Sequence, residues 1–152
     1  KIIKNILQQV DITNSLFNIN ENNFKDFSKD IADNLAHVLK GTQDTEGVKW
    51  CLSTIKKAKV FVTIYLANEN GKEIYKEEIA KKIPEYSYKT IASIVDEGLA
   101  KGYYISSDLD QKKIKDGKIK NIRPSDELIS NFMKWNIERV VLAANLIRKY
   151  KK

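Results

Sequence analysis

Cysteine and histidine are almost absent from this sequence. Its 152 residues include one cysteine, Cys51, and one histidine, His37. A single cysteine excludes an internal disulfide and a CxxC metal site, and a lone histidine has no companion ligands for zinc. We therefore expect no bound metal and no cofactor, with His37 in a structural or surface role. The low cysteine content also favours a reducing, cytoplasmic location.

Long apolar runs are missing too. No stretch reaches the roughly 18 apolar residues that a membrane-spanning helix needs. The most apolar segment, residues 58–67, is interrupted by Lys59 and Thr63. We therefore expect no membrane partner.

Catalytic motifs are also lacking. The sequence has no Gly-rich phosphate loop, no HExxH and no GxSxG. The acidic pairs Glu77-Glu78 and Asp108/Asp110 lie among lysines at positions expected to be exposed, where the sequence gives no burial signal for acid–base chemistry. We expect no catalytic residues and interpret the chain as a non-enzyme.

Positive charge is in excess, and it is unevenly distributed. The 27 basic residues outnumber the 20 acidic ones, for a net charge of +7. Only three of the basic residues are arginine, and a Lys-, Ile- and Asn-rich composition is typical of an AT-rich genome, so the total charge alone says little. Residues 1–70 carry +1, whereas residues 71–152 carry +6. A basic half of this kind favours an anionic partner such as nucleic acid.

The first seventy residues have apolar residues at helical spacing. We predict a short helix over residues 1–10, a helix over Asn22–Lys40 that Gly41 ends, and one long helix from Glu46 to Asn68. Part of the third segment, VFVTIYL, has high strand propensity, but no turn signal separates it from the helical pattern before it. A strong turn signal, NENG, follows.

The next segment has the order helix, turn, helix. The pattern over Glu73–Ile83 predicts a short helix, and Ser87 is a suitable N-cap for a second helix that Gly102 ends. The apolar positions of the second helix predict one buried face. Its N-terminal polar residues are then left facing outward.

Two strands are predicted after the second helix. Residues 103–107 and 118–123 alternate like strands on either side of an Asp116-Gly117 turn. Between Lys112 and Arg123 there are six basic residues and one acid. Helix, turn, helix and basic ribbon is the layout of a winged helix-turn-helix, which places one helix in the DNA major groove. The expected fold class is mainly α with a small β wing.

This layout gives candidate DNA-binding residues. We expect the start of the second helix to meet bases and phosphates in the major groove, and the ribbon to hold the flanking backbone. The major-groove candidates are Ser87, Tyr88, Lys89, Thr90 and Ser93, and the wing candidates are Lys112, Lys113, Lys115 and Lys118.

The last predicted helix runs from Ser125 to about Tyr150, after Pro124 breaks the strand. Its apolar residues do not fit one narrow stripe, so it needs cover from outside its own domain, which a homodimer would provide. We expect one winged-helix domain over residues 1–152, with a core at 46–124 and helical dimerisation extensions at 1–45 and 125–152. The expected dimerisation residues are Ile3, Ile6, Phe132, Trp135, Val140, Leu142 and Ile147.

Residues 73–123 resemble the MarR family of winged-helix transcriptional regulators. The resemblance rests on EEIAKKI, TIASIVDEGLAKGYY and SSDLDQKKIKDGK, and the helices before and after them are in the expected order. It implies a homodimer that binds double-stranded DNA, with a recognition helix at Ser87–Lys101 and a wing at Tyr104–Arg123. It also implies a small-molecule effector, for which Trp50, Tyr65 and Trp135 are candidate pocket residues, although aromatics of this kind belong more often to a core.

Two positions depart from the family pattern. Family wings usually carry an arginine that reaches the minor groove, whereas the matching place here, Asp108–Lys112, has none. Lysine is a poorer reader of that groove, so we expect wing contacts mostly with phosphate. Gly98 stands where leucine is common, and glycine inside a helix costs about 0.5–1 kcal/mol relative to alanine.

A second function class is compatible with the same pattern. Winged helices also serve as protein-interaction modules without DNA binding, because a fold does not fix a function. In that case the partner would bind the apolar last helix or the tyrosines around the second helix.

Overall fold

The computed structural model describes residues 1–9, 16–43, 45–107 and 121–152. This part of the chain is mainly helical with a small two-stranded antiparallel sheet, which confirms the expected mixture of helices and a small β element. The elements in chain order are α1 (Ile2–Gln9), α2 (Phe24–Gln43), α3 (Glu46–Cys51), α4 (Ile55–Glu69), α5 (Lys76–Lys82), α6 (Tyr88–Ala100), β1 (Tyr104–Ser107), β2 (Asn121–Pro124) and α7 (Asp126–Tyr150).

The chain divides into two compact units. A central unit comprises Thr45–Phe132, and a terminal unit combines Lys1–Asp44 with Met133–Lys152. The expected core of residues 46–124 lies within the central unit. That unit extends on to Phe132 because the Phe132 ring packs edge-on against Phe61 and Tyr65, with centroids 4.9 and 5.0 Å away.

The predicted single helix from Glu46 to Asn68 is wrong, because the structure has two helices there. The Thr54 side chain accepts a hydrogen bond from the backbone N–H of Lys57 at 3.1 Å and so caps the start of α4. The Ser53 hydroxyl donates to the carbonyl of Trp50 at 2.7 Å, at the end of α3. Adjacent Ser53 and Thr54 were the signal for this break.

Helix α5 begins at Lys76, later than the predicted Glu73. The residues before it are extended instead, and the Ile74 carbonyl accepts a hydrogen bond from the Ile122 backbone N–H of β2 at 2.7 Å. The Asn121 side chain also donates to the Glu73 carboxylate at 2.7 Å. The approach to α5 therefore adds a third chain segment beside the hairpin.

Helix α2 runs past its predicted end at Lys40. Gly41 lies inside the helix, whereas Gly71 and Gly102 adopt the left-handed backbone conformation, with φ of 65° and 77°. A glycine ends a helix efficiently when it takes that conformation. Gly102 does so directly after α6, as predicted.

The core of the central unit is aliphatic and aromatic. Helices α4 and α6 pack against the hairpin, and α5 packs against α4 and α6. Each fully buried aliphatic side chain contributes about 1.5–3 kcal/mol. The core residues at or below 3% exposure are Val48, Cys51, Val60, Phe61, Ile64, Ile74, Ile79, Ile83, Ile91, Val95, Tyr104, Ile122, Pro124 and Leu128.

Gly98 lets a tyrosine ring approach the backbone of α6. A Cβ atom at this position would lie 2.2 Å from Cδ2 and 2.5 Å from Cε2 of Tyr104. The Tyr104 hydroxyl on the same ring is 3.9 Å from the Cys51 sulfur. The departure from leucine at this position therefore has a packing reason, because no larger residue fits there.

The terminal unit joins α2 to the end of α7. The backbone N–H of Asn18 donates to the Tyr150 carbonyl at 2.6 Å, and that of Lys152 donates to Leu16 at 3.0 Å. The Asp30 carboxylate accepts from the Tyr150 hydroxyl at 2.6 Å and from the Lys149 ammonium at 2.7 Å. The last residues of the chain are thus held against the start of α2.

Candidate nucleic-acid interface

Helix α6 begins with a fixed cap. The Ser87 hydroxyl accepts from the Thr90 backbone N–H at 3.2 Å, and the two hydroxyls are 2.9 Å apart. Such a bond satisfies one of the free N–H groups at a helix start. Thr90 is half-buried and engaged in the cap. Its side chain is therefore less available to a ligand than the sequence suggested.

The other candidates at this helix end face outward. Lys89 and Ser93 are exposed, and 49% of the Tyr88 surface is accessible. On the opposite side, Ile91 and Val95 are fully buried. The helix therefore presents a short row of polar side chains on a rigid, well-packed base.

Helices α5 and α6 pack against each other within the central unit. Ile79 is fully buried and Ile83 is 3% exposed, so α5 contributes its apolar side to the same core as α6. The Tyr88 hydroxyl donates to the Glu77 carboxylate at 3.4 Å. The two helices and the turn between them form one packed substructure.

The hairpin follows directly. Strands β1 and β2 pair antiparallel, with Tyr104 opposite Pro124 and Ser107 opposite Asn121. Pro124 is thus the last residue of β2, and the strand ends after it. The wing candidates Lys112, Lys113, Lys115 and Lys118 lie outside the described residues.

Arg123 lies at the base of this hairpin. Its guanidinium donates to the Asp126 carboxylate at 3.1 Å and to the Pro124 carbonyl at 3.2 Å. These bonds join the hairpin to the first turn of α7. Arg123 therefore has a structural role at the base of the hairpin.

An open cleft of about 410 Å³ lies between α5, α6 and the hairpin. Across it the Lys76 ammonium pairs with Asp96 at 2.5 Å. Its lining residues are Tyr75, Lys76, Glu77, Tyr88, Asp96, Leu99, Ser106 and Ile122. The carboxylates of Glu77 and Asp96 and the ammonium of Lys76 give the cleft a mixed charge.

The expected dimerisation residues fall into two groups. Ile6, Val140 and Ile147 are exposed, with Val140 at 63%. Ile3, Phe132, Trp135 and Leu142 are half-buried by contacts within the chain. Trp135, for example, donates its indole N–H to the Val38 carbonyl at 3.2 Å.

Further exposed apolar residues occur in the same unit. Part of the stripe that predicted α2 is solvent-accessible, because Ile31, Leu35 and Leu39 are 43–57% exposed. Phe27 of the same stripe packs against the Tyr150 ring instead. The periodicity indicated the helix but not which of its apolar residues would be covered. The others in this unit are Ile2, Leu16, Met133, Ile137 and Val141.

The aromatic residues suggested for an effector pocket make separate contacts. Trp50 donates to Glu97 at 3.0 Å and packs against Tyr103, with ring centroids 5.4 Å apart. Tyr65 packs against Phe132 in the same unit. Trp135 belongs to the terminal unit. An effector stays a prediction.

The Cys51 thiol is protected. It is fully buried, and burial raises its pKa to about 12. The thiolate is the reactive form of cysteine, so the thiol is a weak nucleophile at neutral pH. Its surroundings are those of a packing residue.

The described residues form neither a metal-ligand cluster nor a helix able to span a membrane. In the described part of the chain, no three His, Cys, Asp or Glu side chains cluster as a metal site would need. No helix among residues 1–9, 16–43, 45–107 and 121–152 has both the length and the apolar character to cross a membrane. Comparison with protein-family models, curated proteins and solved structures gives no match.

Proposed function

We propose that this chain is a homodimeric, sequence-specific double-stranded DNA-binding regulator of transcription. Its central unit is a winged helix-turn-helix in this proposal, with α6 as the recognition helix. The observation that carries it is the exposed polar start of α6, from Ser87 to Ser93, on a helix that is fully buried on its other side. A helix presented in this way can enter a major groove without unfolding its own core.

The order of elements supports the same assignment. Helix α5, a short turn and α6 are followed by a hairpin, and the extended segment at Ile74 bonds to the β2 strand. In a winged helix-turn-helix the hairpin lies beside the recognition helix and reaches the adjacent DNA backbone. The basic segment with Lys112, Lys113, Lys115 and Lys118 connects these two strands in sequence. We therefore assign it the contact with the DNA backbone.

Exposed apolar side chains support the homodimer. Most of the large apolar residues that remain accessible, including Leu35, Val140 and Ile147, belong to the terminal unit. Soluble monomers seldom expose large contiguous apolar surface, and a two-fold interface would bury the same patch on both copies. A dimer also matches the two-fold half-sites that such regulators bind.

The first test is fluorescence anisotropy with a labelled pool of random duplexes at about 50 and 200 mM salt, the range over which phosphate contacts weaken most. We expect tight binding at the lower salt that falls steeply at the higher one. Sequencing the bound fraction then identifies the preferred operator. Absence of binding at low salt would contradict the proposal.

The wing is tested separately on the selected operator. Replacing Lys112, Lys113 and Lys115 together by Ala removes three charges per protomer, so the slope of log affinity against log salt should fall by about three per protomer. A matched control replaces three exposed lysines of α2, Lys25, Lys29 and Lys40, by Ala. An unchanged slope in the wing variant would refute the wing role.

A second function has one observation in its favour. Helix α4 exposes an apolar row, Ile55, Val62 and Leu66, at 47–71%. The row is suited to a protein partner and would serve a winged-helix interaction module without DNA binding. Stable binding of random DNA at low salt, lost on changing Lys89 and Ser93 to Ala, would argue against this alternative.

A further inference from the structure

The turn between α5 and α6 carries a tyrosine that holds two lysines from another helix. Tyr86 is half-buried, and its backbone N–H donates to the Ile83 carbonyl at 3.2 Å. The ammonium groups of Lys56 and Lys59, from the first turns of α4, lie 5.5 and 5.7 Å from the centre of its ring. Both distances are within the range of a cation–π interaction.

The two lysines differ in their charge balance. Lys59 forms an ion pair with Glu85, which lowers the pKa of that carboxyl and raises the pKa of the lysine. Lys56 is exposed and makes no ion pair with a carboxylate among the described residues. Its positive charge is therefore uncompensated at that place.

This charge is held at the end of α6 that meets DNA in our proposal. Tyr86 immediately precedes Ser87, whose side chain caps the helix. The major groove is about 12 Å wide, and phosphates border it on both sides. Side chains beside the end of an inserted helix therefore lie near phosphate groups. A lysine whose ammonium is held over the turn has the charge to pair with such a phosphate and a flexible side chain to reach it.

We propose that Lys56 contacts a DNA phosphate at the edge of the major groove and that Tyr86 is its positioning residue. The inference rests on the proposed function and extends the DNA footprint to the start of α4, which lies outside the recognition helix and wing. Lys59 instead fixes the turn through Glu85, because its charge is already matched.

The neighbouring lysine provides a matched control. The Lys57 ammonium lies 4.8 Å from the Trp50 ring, and the Trp50 indole donates to Glu97. Glu97 is ten residues after Ser87, about 15 Å along α6 at 1.5 Å per residue. Changing Lys56 or Lys57 to Ala removes the same charge from the same helix, but only the first removes it beside the cap.

The experiment measures affinity of the full chain for the selected operator at several salt concentrations. We expect Lys56→Ala to lower the salt slope by about 0.9 per protomer, which reduces the loss of affinity between 50 and 200 mM salt about 3.5-fold per protomer. Lys57→Ala should keep the wild-type slope. Equal slopes for wild type and Lys56→Ala, or equal losses in both variants, would overturn the inference while leaving DNA binding intact. If the wild type binds no DNA, the proposed function fails first.

Tyr86 variants test the positioning role. Tyr86→Phe keeps the ring and should keep the wild-type slope, whereas Tyr86→Leu removes the cation–π partner and should behave like Lys56→Ala. Adding Lys56→Ala to Tyr86→Leu should then change little, since both act on one contact. Independent, additive losses would show that Tyr86 does not act through Lys56. Circular dichroism checks that each variant is folded.

Discussion

At the scale of single residues, Gly98 matters because of the atom it lacks. It lies inside the last turn of α6, where glycine is normally a cost, yet the Tyr104 ring occupies the space of a Cβ atom. Tyr104 is 1% exposed and cannot move outward without opening the core. The same close approach also brings Trp50 within 3.2 Å of that position.

We therefore predict that Gly98→Ala destabilises the protein despite the better helix propensity of alanine. A methyl group 2.2 Å from a ring carbon forces a shift of the packed ring, and overpacking of this kind typically costs about 1–3 kcal/mol. The measurement is the free energy of unfolding in urea. Gly41→Ala is the control, because its Cβ would meet only ordinary contacts at 3.5 Å or more, so that variant should be neutral or stabilised by about 0.5–1 kcal/mol.

At the scale of elements, capping side chains decide where helices start. Ser87 and Gly102 bracket α6, and both signals are local and readable in the sequence. Thr54 is equally local, but the apolar pattern on both sides of it suggested one continuous helix. The hydrogen bond from Ile122 to Ile74 joins residues far apart in sequence, so no local signal predicts where α5 begins.

We predict that Thr54→Ala costs about 1 kcal/mol of stability, the usual cost of losing an N-cap hydrogen bond. Thr54→Ser keeps a hydroxyl at the same place and should retain most of that stability. Thermal unfolding of both variants compares them. A loss of similar size in both would point to the methyl group of Thr54 instead of its oxygen.

The contact between the chain's last residues and α2 depends on pH. Hydrogen bonds from Lys149 and then Tyr150 lower the pKa of Asp30 below its ordinary value of 3.8. A carboxyl with a lowered pKa in the folded state contributes stability above its ordinary pKa and loses it as the pH falls through the folded value. The ion pair between Asp30 and Lys149 should therefore be lost only at acidic pH.

We predict that Asp30→Asn makes the protein less stable at neutral pH. The variant should also lose less stability than the wild type as the pH is lowered. Urea unfolding between about pH 5 and pH 2 should show a smaller fall for the variant than for the wild type. Asp33→Asn, on the same helix, serves as the control. Parallel curves for wild type and Asp30→Asn would show that the carboxylate contributes no linked stability.

At the scale of the whole molecule, most of the exposed large apolar side chains belong to the terminal unit. The terminal unit has accessible Ile, Leu and Val side chains on α1, α2 and α7, and the central unit has the polar end of α6. Periodicity predicted the helical segments of both units, apart from the break between α3 and α4, and the outward face of α6. It did not predict that Ile31, Leu35 and Leu39 of α2 would remain accessible, since burial depends on neighbours that periodicity does not identify. The Tyr86 contact with Lys56 spans 30 residues and was likewise invisible to local patterns.

We predict a homodimer that a charge in the terminal unit disrupts. Sedimentation velocity should give twice the 17.5 kDa protomer mass for the wild type. Val140→Asp places a carboxylate on a residue 63% exposed in the protomer, so it should weaken association by a factor of ten or more without unfolding the chain.

Val62→Asp supplies the control for this change. It introduces the same charge at a residue 47% exposed on α4 in the central unit. It should sediment as a dimer. If both variants remain dimeric, the interface is not on this part of α7, and if both become monomeric, the effect is not specific to the terminal unit.

The single cysteine also provides a measure of how often the central unit opens. Cys51 has 0% exposure, so a thiol reagent can reach its sulfur only during an opening event. Its modification rate therefore reports the free energy of that opening. A ligand that binds only the closed form lowers the open population by mass action. If the chain binds DNA as we propose, bound DNA should slow the modification of Cys51, and the extent of slowing would give the binding energy.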